Sequence, residues 1–213
     1  MFEGDFLMHA YGGFSPYAAA NAHGNSHCFP SYYGPQLVCL THAQVAFKNL
    51  TRTLWEQHVA WTRMAITSLV FGLPDTDFVV ARLLQNPVDM GNSIRPFYGD
   101  AAANTYSALI KEHLVIAADL IKAAKAGDSA AAAAAEKRWY ANADHIMDFL
   151  TQLNPYFPKE QFRKMFYEHL AMTKEEAVTM LNKDYTASIR LYDRIEQEAL
   201  MMADILWRYL YVC

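Results

Sequence analysis

The chain has 213 residues, 53% of them hydrophobic and 19% charged, with a net charge of -4. That length and apolar share suffice for a sizeable core, and the acidic balance lacks the basic footprint of a nucleic-acid binder. There is no run of about 18 apolar residues to span a membrane, no basic and apolar leader, and no CxxC spacing among Cys28, Cys39 and Cys213, so a reduced, cytoplasmic protein is expected.

Residues 1–39 stand apart. They hold five Gly, three Pro, four Tyr, four Phe and three His, but only two charged residues, Glu3 and Asp5. No helical period runs through them, and Gly12-Gly13 and Tyr33-Gly34-Pro35 interrupt the stretch. An irregular aromatic tail is expected, adhesive enough to mediate self-association. Its histidines, His9, His23 and His27, could bind metal, but their irregular spacing favours solvated or stacking roles.

From residue 40 onward the period is helical. Helix one is expected over about 41–71, with Phe47, Leu50, Leu54, His58, Trp61, Ala65 and Leu69 on one stripe and Pro74 ending it. A short helix follows over about 75–85. Pro87, Gly91 and Pro96 then predict a broken connection. The next helix covers about 100–126 with Tyr106, Leu109, His113, Ile116 and Leu120 in line, and Gly127-Asp128-Ser129 ends it and caps its successor. The fourth helix spans about 130–153, the fifth begins after Pro158, and the last covers about 183–210. Strand signals are nearly absent. The expected fold is all-α, an antiparallel helical bundle of the ferritin-like or hemerythrin-like up-down kind.

A shift of 84 or 85 residues aligns Trp55 with Trp139, Leu69 with Leu153, Pro74 with Pro158 and Phe78 with Phe162. It predicts two three-helix halves, 42–126 and 127–211. A competing match sets His58-Val-Ala-Trp-Thr-Arg63 against His169-Leu-Ala-Met-Thr-Lys174 at an offset of 111.

His58, His113, His169 and Glu198 lie near the midpoints of four helices, at positions where apolar core residues are expected. Buried polar groups must satisfy one another or hold something between them. In antiparallel helices of similar length midpoints share a height, so these four are the candidate metal ligands. Imidazole nitrogens with one carboxylate suit zinc, iron, manganese or copper. Glu56, Glu112, Glu168 and Asn142 are the candidate orienting partners behind them. The competing reading is a metal-free polar layer that fixes helix register. No Glu-x-x-His or HExxH occurs, which argues against a ferritin-type di-iron centre and a zinc protease. Trp55, Trp61 and Trp139 read first as core filling, and Arg63, Arg95 and Lys174 as salt-bridged surface.

The blocks Leu54-Trp55-Glu56-Gln57-His58, Arg95-Pro-Phe-Tyr-Gly-Asp100, Lys137-Arg-Trp-Tyr-Ala-Asn-Ala-Asp144, Tyr167-Glu-His-Leu-Ala-Met-Thr-Lys174 and Glu196-Gln-Glu-Ala-Leu-Met-Met-Ala-Asp204 resemble a small helical family of spore-forming Gram-positive bacteria. The resemblance covers about 50–206 and implies a sporulation-associated role, in the spore or the cytoplasm. Members often carry the label acetylglutamate kinase. Such kinases are α/β proteins with glycine-rich phosphate loops, whereas the single Gly-Gly here lies in the tail and opens no helix. More distantly the chain resembles duplicated helical metalloproteins of bacilli, which implies a bound metal.

Overall fold

A computed structural model of the chain describes residues 27–30 and 37–211, and by its internal contacts the chain divides after His42. In the first unit β1 (His27–Pro30) and β2 (Leu37–Leu40) pair antiparallel, with Cys28 opposite Cys39 and Phe29 opposite Val38. This short ladder corrects the expectation of a wholly irregular stretch. Its segments carry aromatic and β-branched residues. His9 and His23 lie outside the described residues, as does most of the segment expected to self-associate.

The second unit is helical. It comprises α1 (His42–Phe71), α2 (Thr76–Leu83), α3 (Gln85–Ala126), α4 (Ser129–Leu153), α5 (Lys159–Leu181) and α6 (Tyr185–Tyr211). The all-α expectation holds there, with five long helices packed together. The caps follow the sequence. Gly127 ends α3 in the left-handed region (φ 73°), Asp128 N–H returns to the Ala123 carbonyl at 3.0 Å, and Asp128 Oδ1 accepts from Ala131 N–H at 2.9 Å to start α4. Asp184 does the same for α6, accepting from Ala187 N–H at 3.0 Å. Among the described residues no helix is long and apolar enough to cross a membrane.

The segment expected to be a broken connection is helical instead. Pro87 is the third residue of α3, where a backbone N–H would have no acceptor within the helix, so the ring is tolerated. The break falls at Gly99 (φ 77°, ψ 179°), a conformation open essentially to glycine alone. There the arm 85–98 turns back onto the arm 100–126. Gly91 marks their closest approach: a Cβ on it would stand 2.5 Å from the Ala103 carbonyl oxygen and 2.9 Å from Ser107 Cβ. Arg95 holds the bend from outside, bonding Asn92 Oδ1, Asp100 and Asn104 Oδ1.

One apolar cluster runs through the unit, joining Leu54, Trp55 and Val59 of α1 to Met90 and Ile94 of the returning arm. It continues through Tyr106, Ile110 and Leu120, then Trp139, Ile146 and Leu150 of α4, Phe162, Phe166 and Leu170 of α5, and Met202 and Leu206 of α6. Each large apolar side chain buried there contributes roughly 1.5–3 kcal/mol. The polar residues described next interrupt this cluster.

Candidate functional site

His58, His113 and His169 are all buried, at 4%, 2% and 3% exposure, and Glu198 is buried at 5%. The structure brings them together. The His58 ring centre lies 6.4 Å from that of His113 and 6.3 Å from that of His169, and Phe166 packs against both His113 and His169.

Each imidazole uses Nδ1 in the same way. His58 Nδ1 meets Asn86 Oδ1 at 3.0 Å, His113 Nδ1 meets Asn142 Oδ1 at 3.2 Å, and His169 Nδ1 meets Glu198 Oε2 at 3.1 Å. The tautomer follows from the partners. Asn86 Nδ2 donates to the Leu54 carbonyl at 2.8 Å, and Asn142 Nδ2 donates to the Leu109 carbonyl and to Glu112 Oε2. Both amide oxygens therefore face the rings, and a carboxylate oxygen faces the third. All three Nδ1 atoms must carry hydrogen, and in a neutral ring that leaves Nε2 with its lone pair. In His113 that lone pair accepts from Trp139 Nε1–H at 3.1 Å.

The partners lie 28, 29 and 29 residues beyond their histidines. The histidines themselves are 55 and 56 residues apart, and Asn86, Asn142 and Glu198 recur at intervals of 56. The polar contacts thus repeat three times, once per helical hairpin, at an interval different from the 84 or 85 of the expected halves. The offset-111 match, His58 with His169, spans two of these steps.

Burial pushes the His58 imidazole down to about 4; repulsion from His169 adds to this and the bond to Asn86 opposes it. Burial likewise holds His113 well below the usual imidazole range, with repulsion from His58 and His169 adding to it. Both rings are neutral near pH 7. A histidine that is harder to protonate folded than unfolded stabilises the fold above its unfolded value of 6.5, and that stability is lost as pH falls toward 4. Wild type should therefore lose roughly 3 kcal/mol more than His58→Gln over that window, read from urea midpoints at pH 7, 5.5 and 4. Parallel pH profiles would show that His58 contributes none of the acid sensitivity.

The four expected orienting residues divide. Asn142 holds His113 directly, and Glu112 acts one step further out, through Asn142 Nδ2. Glu56, two residues from His58 and so on the far side of α1, faces Glu196; burial and that like charge raise its carboxyl. Glu168 is exposed. Glu198 is not free to act as a simple ligand, because its Oε2 is taken by His169, but its buried Oε1 has no hydrogen-bond partner. Among the described residues, no three His, Cys, Asp or Glu side chains are gathered so as to hold a metal ion as they stand.

Three participants were not foreseen. Asn86 lay in the segment read as a broken connection. Its signal was the spacing Leu83-x-x-Asn86-Pro87-x-x-Met90, which repeats as Trp139-x-x-Asn142-Ala143-x-x-Ile146 and Ile195-x-x-Glu198-Ala199-x-x-Met202. Trp139 is core filling, as expected, and also a hydrogen-bond donor to the layer. Glu176, at 1% exposure, pairs with Arg63, which also reaches Ser188 Oγ at 3.3 Å. Burial raises the Glu176 carboxyl and Arg63 counters it. Arg63, Arg95 and Lys174 all meet carboxylates, as expected of salt-bridged side chains. No protein-family model, curated protein or solved structure matches this chain.

Proposed function

We propose that the chain is a metal-binding helical bundle whose ligands are Nε2 of His58, His113 and His169, with Oε1 of Glu198 as a fourth donor. The observation that carries this reading is the shared use of Nδ1. Three buried imidazoles are each fixed through Nδ1–H by an oxygen 28 or 29 residues further along the chain, the arrangement that metal-bound histidines adopt. The orphaned, buried Glu198 Oε1 is a second support, since a carboxylate oxygen without a partner in a core calls for a cation or a proton. Such a donor set fits zinc, iron or manganese. For the ion to enter, the rings close in from their present spacing and Trp139 releases His113 Nε2. A bound ion with an open position would supply Lewis acidity or redox chemistry; a closed one would be structural.

A second reading has its own observation. The Trp139 Nε1–H bond already satisfies His113 Nε2, so a metal-free layer that sets the register of three hairpins accounts for that ring. On this reading the protein is a non-catalytic interaction protein, and residues 1–39 carry its contacts with other copies.

Elemental analysis of untagged protein, purified without chelator or added metal, separates the two. About one metal per chain in wild type and none in His113→Ala is the expected result. No metal, and no uptake of zinc, iron, manganese or copper on titration, would leave the register-setting layer.

A further inference from the structure

Two of the chain's three cysteines, Cys28 and Cys39, stand directly opposite each other in the β1–β2 ladder. Their separation in sequence matches no disulfide or metal motif, and the register alone brings them together.

Pro30 decides which kind of pair they make. Along an antiparallel ladder, opposed residues alternate between pairs that exchange two hydrogen bonds and pairs that exchange none. Pro30 stands opposite Leu37 and has no N–H to give, so that pair is of the second kind. Two positions back along the strand, Cys28 with Cys39 is of the second kind as well. Such pairs are the closer ones, with Cα atoms about 4.5 Å apart and Cβ atoms at the near end of a range of about 4.5–5.5 Å. A disulfide accepts Cα separations of about 4.4–6.8 Å and Cβ separations of about 3.5–4.5 Å, so the backbone register sets the two within reach of a bond. The ladder also has something to gain from one. A lone two-stranded hairpin is only marginally stable in water, and among the described residues no third strand joins this pair.

We propose that Cys28 and Cys39 are a redox modification site, a reversible intramolecular disulfide made by exchange with a low-molecular-weight disulfide such as oxidised glutathione. One cysteine thiolate attacks the glutathione disulfide, forms a mixed disulfide and releases one glutathione thiolate. The opposed thiolate then attacks the protein sulfur of that mixed disulfide and releases the second. Two protein thiols are oxidised, one glutathione disulfide is reduced to two thiols, and the two protons pass from the cysteines to the released thiolates. The link closes residues 28–39 into a loop, and reduced glutathione reopens it. The site needs no metal and is independent of the three histidines.

The test equilibrates full-length, chelator-treated protein with graded mixtures of reduced and oxidised glutathione and traps the remaining thiols with N-ethylmaleimide. Chymotrypsin can cut between the two cysteines at Tyr32, Tyr33 or Leu37, so mass spectrometry identifies which sulfurs are joined. Cys28 should be joined to Cys39 of the same chain, with Cys213 outside the link. A flexible connection gives two groups an effective concentration in the millimolar range, and the opposed pair should exceed that by about tenfold or more. Combining Val38→Cys with Cys39→Val shifts one thiol by a residue, to the other face of the ladder, and should lower the value by about tenfold. Adding Cys28→Phe and Phe29→Cys sets the thiols opposite each other again and should restore it, which separates a lost register from a lost hairpin. The proposal is overturned by a value no higher than that of a flexible chain, by preferential linkage to Cys213 or to a second chain, by an undiminished value in the first variant, or by no recovery in the second.

Discussion

Asn142→Leu should destabilise the bundle by about 3 kcal/mol, lowering its melting temperature by roughly 6–12 °C for a chain of this size. The residue is a hub. It accepts from His113 Nδ1–H and donates to the Leu109 carbonyl and Glu112 Oε2. Leucine has a similar shape and cannot do either, so it strands a buried imidazole N–H at 2% exposure. The Leu109 carbonyl keeps its helical bond, which is why the loss falls short of three full interactions. Asn142→Asp retains the acceptor but sets a carboxylate against Glu112, so its defect should shrink at acidic pH. Calorimetric melting of the three proteins in chelator checks this. A loss below 1 kcal/mol for Asn142→Leu would mean that the histidine layer contributes little to metal-free stability.

A second large effect should come from Gly91→Ala. The new methyl meets a backbone carbonyl at 2.5 Å and a side-chain carbon at 2.9 Å, and neither belongs to a flexible tip that can swing aside. Overpacking of this kind costs about 1–3 kcal/mol, and contact with main chain puts it at the upper end. Gly99→Ala provides the contrast: nothing lies within 4 Å of its Cβ, and only the backbone strain at φ 77° opposes it. If urea denaturation finds Gly91→Ala as stable as wild type, the arms 85–98 and 100–126 are not in the close contact described.

How far these features could be read from residues alone varies with their physics. The long helices were legible because their stripes, such as Leu54, His58, Ala65 and Leu69, repeat with the α-helical period, and their ends carry specific cap chemistry at Gly127 and Asp128. The convergence of His58, His113 and His169 was legible too, since polar residues on apolar stripes at matched heights have few places to go. Three things were not. Pro87 and Gly91 read as breakers because local propensity cannot see that a proline occupies a first turn or that a glycine admits a neighbouring backbone. The bond from His169 to Glu198 Oε2 was hidden because spacing gives height in a bundle but not which atom of which side chain takes up a bond. Trp139 read as filling because an indole's apolar bulk and its single donor cannot be ranked without knowing what stands opposite.

The hairpin-by-hairpin closure of the polar pairs bears on how the chain folds. Each histidine finds its oxygen within 29 residues, so every pair can form inside its own hairpin before the hairpins meet. Loops that short close at little entropic cost, and folds rich in such local contacts reach the native state in microseconds to milliseconds. The contacts that reach across the sequence, such as Arg63 with Glu176 at a separation of 113 residues, belong to docking rather than to nucleation. Removing them should hasten unfolding while leaving the refolding rate almost untouched.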